Sequence, residues 1–178
     1  MSRNKQIGKQ VRKQLGVTLV GMCVALGVSA TLLGKAIPAM TGAQQHQQLR
    51  AEADQLRADI LETRQQAVTQ GRDLRLHVEN ACYIVHDGAP NSCHCDATRH
   101  EAVCKGEAQV HKLQWTKVSL ASNVNKDLNF SGQHGTVSPT ASLTLRARSG
   151  EELRQVIAIT GRVRTCVVGA ARSGMPAC

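Results

Sequence analysis

The sequence predicts an α+β fold: a long N-terminal helix, its first part a membrane stem, packed on a small antiparallel β-sheet head. Three observations carry this. Leu15 to Gly34 is 20 positions without a charge, Gln44 to Gln70 repeats its apolar residues at helical spacing, and from Leu74 onward short alternating segments are separated by turn residues. Helix followed by several strands defines the α+β class.

The first element begins behind a basic stretch. Arg3, Lys5, Lys9, Arg12 and Lys13 precede the apolar run with no acid among them. Positive charge beside a first apolar helix holds that end in the cytoplasm. At ~1.5 Å per residue the run is long enough to cross a ~30 Å hydrocarbon core. The sequence after Lys35 is then expected outside the inner membrane. In the following segment Leu49, Ala53, Leu56, Ile60, Thr63 and Ala67 form one stripe on a helix, with Arg50, Glu52, Arg57, Glu62 and Arg64 opposite. Gly71 is the expected stop.

The head follows. Leu74–Val78 alternates apolar and polar residues, and Cys82–Val85 is placed to pair with it. Asp87 to Glu101, rich in Gly, Pro, Asn and Cys, reads as a disulfide-pinned loop. Further strands are expected at Val110–Trp115, Lys117–Ala121, Leu128–Phe130, Ala141–Arg148, Gln155–Thr160 and Val163–Val168, with a turn at Ser149-Gly150-Glu151-Glu152. The 178 residues contain one Trp, one Tyr and one Phe, so the core is built from Leu, Val, Ile and Ala. The net charge of +9 falls to +4 without the leader (9 − 5 = 4), which weakens any argument for nucleic acid from charge alone.

Seven cysteines are present. Cys23 lies in the apolar helix and acts as a small hydrophobe. Cys82, Cys93, Cys95, Cys104, Cys166 and Cys178 form an even set in a compartment that permits disulfides. Proximity favours a Cys166–Cys178 clasp. The other four make two bridges of open connectivity, with Cys93–Cys95 disfavoured by ring strain. A competing zinc reading would use Cys93, Cys95, Cys104, His94 and His100, but their spacing fits no strong zinc signature. No metal and no cofactor is expected. The seven histidines are scattered, no nucleophile signature or phosphate loop is present, and the chain is not read as an enzyme.

Gly16-Val17-Thr18-Leu19-Val20 lies before the apolar run rather than after it. This segment resembles the prepilin peptidase site of type IV pilins and type II secretion pseudopilins. The resemblance implies cleavage between Gly16 and Val17, methylation of the new N-terminus, and retention of the helix as an assembly stem. Pro38 stands at a distance from the cut common in pilins. Gly21 occupies the place where the family usually has Glu, which fits either a subunit at or near a filament tip or a member that tolerates Gly there. Farther on come Phe130-Ser131-Gly132, Gly135-Thr136, Ser138-Pro139-Thr140, Leu143-Thr144-Leu145 and, after a turn, Val156 to Thr160 and Gly161-Arg162-Val163-Arg164-Thr165-Cys166. In this order they resemble the GspH/FimT family of minor pseudopilins and minor pilins, with a type IV pilin-like fold. The implied organisation is a prepilin leader at 1–16, a transmembrane stem at 17–40, the amphipathic second half of the stem helix at 41–71, and a disulfide-containing head at 72–178.

The resemblance implies a non-enzymatic minor subunit of a type IV pilus in the inner membrane and then in the filament. Its partners are other pilins or pseudopilins, contacted through the N-terminal helix, and the prepilin peptidase. The alternative is a GspH-type minor pseudopilin of a type II secretion system. Some FimT-like pilins bind double-stranded DNA through Gly-Arg-x-Arg, here Gly161-Arg162-Val163-Arg164, which makes Arg162 and Arg164 candidate phosphate contacts with Arg146 and Arg148 beside them. Equally, Gly161 can serve as a backbone bend, with the arginines paired to Glu151, Glu152 or a neighbouring subunit.

Overall fold

The structure, a computed structural model, describes residues 19–169 and 174–178. The chain divides into two units, Met1–Met40 and Thr41–Cys178. Helix α1 spans Leu19–Gln70. In the first unit Leu19, Val20, Met22, Val24, Leu26 and Val28 are all exposed. Among the described residues no helix is long and apolar enough to cross a membrane. The expected span begins at Leu15, and the cleavage residues Gly16 and Val17 precede α1, so these lie outside the described residues.

In the second unit the helical stripe is buried: Leu49, Ala53, Leu56, Ile60, Thr63 and Ala67 are each at most 3% exposed. The helix ends where Gly71 adopts φ 63°. The Gly71 N–H then donates to the Val68 carbonyl and the Arg72 N–H to the Ala67 carbonyl, each at 3.2 Å. This Schellman closure satisfies two carbonyls that the last turn would otherwise orphan.

Eleven strands follow among the described residues. The first sheet has the order β5 (Val110–Trp115), β2 (Cys82–His86), β1 (Leu74–Glu79), β7 (Leu128–Phe130), β8 (Val137–Ser138). The second has the order β11 (Val163–Val167), β10 (Glu152–Ile157), β9 (Ala141–Arg146), β6 (Ser119–Ser122). All neighbours are antiparallel. One core joins the helix stripe to Leu74, Leu76, Tyr83, Val85 and Phe130 of the first sheet and to Leu143, Leu145, Leu153 and Ile157 of the second.

Two polar ties fasten α1 to the sheets. Asp59, 2% exposed, accepts from the Tyr83 hydroxyl at 2.5 Å and from Lys112 Nζ at 2.7 Å. Burial and this carboxylate both raise the Tyr83 pKa, so the phenol remains a donor. On the second sheet, buried Gln155 donates through Nε2 to the Ala53 carbonyl.

The segment expected as a loop at Asp87 to Glu101 contains β3 (Cys93–Asp96), which pairs with β4 (Glu101–Cys104). This hairpin explains why every residue of β2 is buried. Tyr83 and Val85 face the helix-side core, while Cys82, Ile84 and His86 point to the opposite face, next to β3. Its strands read Cys-His-Cys-Asp and Glu-Ala-Val-Cys, so no apolar alternation announced them. Two expected strands also shift. β9 ends at Arg146, and β10 begins at Glu152 rather than Gln155 and ends at Ile157. The Gly150 N–H donates to the Ala147 carbonyl and the Ala147 N–H to the Glu151 carbonyl, which sets the turn at Ala147–Gly150, two residues earlier than expected.

Candidate functional site

Strand β11 is an edge strand, and alternation along it sends Val163 inward and Arg162 and Arg164 outward, both exposed. Beside it runs α1. Arg50, Asp54, Arg57 and Leu61 of the helix and Arg162 to Thr165 of the strand line a groove of about 620 Å³, with Leu153 and Met175 as apolar lining. Four guanidinium groups and one carboxylate therefore border one concavity. Among the described residues Arg57, Arg162 and Arg164 form no ion pair. Helix periodicity places Arg50, Asp54, Arg57 and Leu61 on one side of α1. Only the tertiary fold brings them to the strand.

Gly161 has a defined structural task in this motif. It adopts φ 76° in the β10–β11 turn, where its N–H donates to the Ala158 carbonyl at 2.9 Å. An added Cβ would lie 2.4 Å from Cδ of Arg64, whose Nε donates to the Gly135 carbonyl at 2.7 Å. Gly161→Ala is expected to cost about 1–2 kcal/mol through the left-handed backbone alone, with further displacement of Arg64. A thermal unfolding midpoint equal to that of the parent would contradict this.

Arg146 and Arg148 do not join Arg162 and Arg164, contrary to their expected place in one patch. Arg146 pairs with Glu152 across the β9–β10 ladder. That level lies four residues along β10 from the Val156↔Arg164 pair, about 13 Å at strand spacing. Arg148 lines a separate groove with Gln45, Gln48 and Lys117. Glu151 accepts from His46 at 2.8 Å, so neither Glu151 nor Glu152 is the partner of Arg162 or Arg164.

The cysteines form three bridges: Cys82–Cys95, Cys93–Cys104 and Cys166–Cys178. The thiolates required by the zinc reading are thereby consumed. Cys166–Cys178 ties the C-terminal residues alongside β11, where the Val167 N–H donates to the Pro176 carbonyl. The other two bridges hold the β3–β4 hairpin. Cys23 is the free cysteine among the described residues.

Beneath that hairpin lies a charged joint that sequence reasoning missed. Asp127, 5% exposed, accepts from His77 Nδ1 at 2.7 Å, from His86 Nε2 at 3.2 Å and from the Asn91 N–H at 2.6 Å. The Gly88 N–H donates to His86 Nδ1, so His86 is the neutral Nε2–H tautomer. His77 touches carboxylates at both nitrogens, Asp127 and, at 3.3 Å, Glu79. That arrangement favours the imidazolium, and the Asp127 hydrogen bond raises the His77 pKa. Burial alone would raise the Asp127 pKa. The three donors outweigh it and hold the carboxyl well below its usual range. With its oxygens occupied by internal donors, Asp127 serves as a joint rather than a reactive group.

A helix with one face buried against two small antiparallel sheets, with a disulfide-held flap, makes an α+β head. The sequence profile described as Type II transport protein GspH matches residues 52–161, and the chain belongs to this GspH/FimT family of minor pilins and pseudopilins. Among solved structures, the minor pseudopilin EpsH from the Type 2 Secretion System of Vibrio cholerae aligns at a TM-score of 0.48 and 13% identity, over 69% of this chain and 99% of that one. No curated protein matches the chain.

Proposed function

We propose that the protein is a minor pseudopilin of a type II secretion system: a structural, non-enzymatic subunit anchored in the inner membrane and assembled with other pseudopilins. The family match over residues 52–161 carries this reading and favours secretion over the pilus reading taken from the sequence. Exposed Leu19, Val20, Met22, Val24, Leu26 and Val28 suit a stem that is covered by lipid or by neighbouring helices. Processing after Gly16 would release a chain beginning at Val17.

The test is complementation in the host. Deleting the gene should stop secretion of type II substrates. The parent gene should restore it, and Gly16→Val should not, with intact-mass analysis showing an unprocessed chain. Normal secretion in the deletion strain, together with loss of pilus-dependent DNA uptake, would favour a minor pilin instead. Exposed Arg162 and Arg164 support that second reading, in which they contact double-stranded DNA in a salt-sensitive way.

A further inference from the structure

We infer that the solvent face of the second sheet is a docking surface for another protein, one that presents carboxylates around an apolar side chain, and that Arg154 lies at the middle of this surface. The inference stands apart from the choice between secretion and a pilus, which the complementation test decides by itself.

Register places the residues. Alternation along β10 buries Leu153, Gln155 and Ile157 and turns Glu152, Arg154 and Val156 to the solvent face. On the β11 side Val156 stands directly opposite Arg164, and Arg154 opposite Cys166. On the β9 side Val156 stands opposite Ser142, Arg154 opposite Thr144, and Glu152 opposite Arg146. Arg154 is therefore the diagonal neighbour of both Arg164 and Arg146, about 7–8 Å from each. It fills the level between them. Arg162, exposed like Arg164, extends the row by two more residues, about 7 Å at strand spacing.

Charge gives the row one sign. Arg146 is neutralised by Glu152. Among the described residues Arg154, Arg162 and Arg164 form no ion pair. The other outward positions of β9 and β6 are Ser142, Thr144, Ser119 and Ala121, which carry no charge. The face thus holds three unpaired cations and no unpaired side-chain carboxylate. Arg154 does not line the groove beside α1, and α1 packs against the other face of this sheet. Guanidinium groups on a flat face suit carboxylates, which they grip in a two-pronged manner.

Val156 decides between carboxylates of a protein and phosphates of a nucleic acid. It is 39% exposed although it sits between Arg164 and Ser142, and Ile159, in the turn that follows β10, is 58% exposed. An apolar side chain among charged ones is the arrangement of a protein interface, with an apolar centre and a polar rim. A phosphate backbone gains nothing from covering it. A second copy of this chain is a poor occupant, because the chain carries a net charge of +9 and two copies repel.

The experiment uses the full-length protein in its host, with a photoreactive benzophenone side chain in place of Ser142. That position adjoins Val156 and leaves the arginines intact. Irradiation is expected to give an adduct with a different protein, and its cross-linked peptide should lie on a surface that carries carboxylates. The Arg154→Glu/Arg164→Glu variant should lower the adduct yield by about tenfold. The milder Arg154→Gln/Arg164→Gln variant should lower it less, and Val156→Ser should lower it severalfold. Unchanged unfolding midpoints show that the variants are folded. Replacing the partner's carboxylates by lysine should restore the adduct with the Arg154→Glu/Arg164→Glu variant. A protein adduct that ignores both arginine variants overturns the site, and one that ignores Val156→Ser overturns the apolar centre. Absence of any adduct, or an adduct with a second copy of this chain or with DNA, overturns the assignment of the partner.

Discussion

Asp127→Ala is expected to lower the stability of the head by about 3–5 kcal/mol, the range for breaking a buried charge pair by removing one partner. The loss has identifiable parts. The His86 Nε2–H is fully buried and loses its acceptor at 3.2 Å, and the Asn91 N–H loses one at 2.6 Å. The partly buried His77 cation retains only Glu79, at 3.3 Å. Denaturant titration of the full chain, followed through its single tryptophan, Trp115, measures the change. A shift below about 1 kcal/mol would mean that water or local rearrangement replaces Asp127, since ordinary surface changes fall within that range.

The same joint sets a pH window. The His77 pKa is raised on folding, so its contribution is complete below the unfolded value of about 6.5 and is lost as pH rises through the folded value. The Asp127 pKa is lowered, so its contribution is present above the unfolded value of about 3.9 and is lost as pH falls toward the folded one. Together they favour the folded state most between about pH 4 and 6.5. In Asp127→Ala the Asp127 share of the acid-side dependence should disappear, leaving that of Asp73, Asp87 and Asp96, whose pKa values are also lowered, and the alkaline-side one should shrink to what Glu79 sustains.

The contrast between legible and hidden parts follows from the range of the interactions. The stripe from Leu49 to Ala67 was readable because helix periodicity is local, and Gly71 because a helix end has its own chemistry. Strands β1, β5 and β7 show alternation or clear turn borders. The β3–β4 hairpin shows neither. Its stability comes from disulfides to β2 and within itself, so its sequence need not be apolar. Arg162 and Arg164 could be marked as a pair on one strand face, but the helix arginines opposite them could not, because nothing local relates Arg57 to β11. Arg146 resembled them by charge and proximity in sequence, yet the β9–β10 register assigns it to Glu152. Asp127 was invisible for a similar reason, since its donors come from β1, β2 and the segment before the hairpin.

The double variant Cys82→Ser/Cys95→Ser should release the hairpin while leaving the two sheets and the helix stripe folded. Cys82–Cys95 closes a loop of sequence separation 13, for which the chain-entropy estimate is about 3 kcal/mol. The effect should be local because Cys93–Cys104 still closes the hairpin on itself, whereas its remaining attachments to β1 and β5 are few and polar in part. One is the Cys95 N–H to Glu79 at 2.9 Å, and another is the edge contact of His100 with Trp115 at 4.8 Å between ring centres. Detachment would expose Ile84, which is buried on the sheet face away from the helix-side core. Trp115 would lose its His100 neighbour, so its emission should change, and amide protection should fall across residues 93–104 and in β2 while persisting in β9 and β10. Unchanged Trp115 emission and protection would show that the hairpin is held without this bridge. Loss of protection in β9 and β10 as well would make the flap part of the cooperative core.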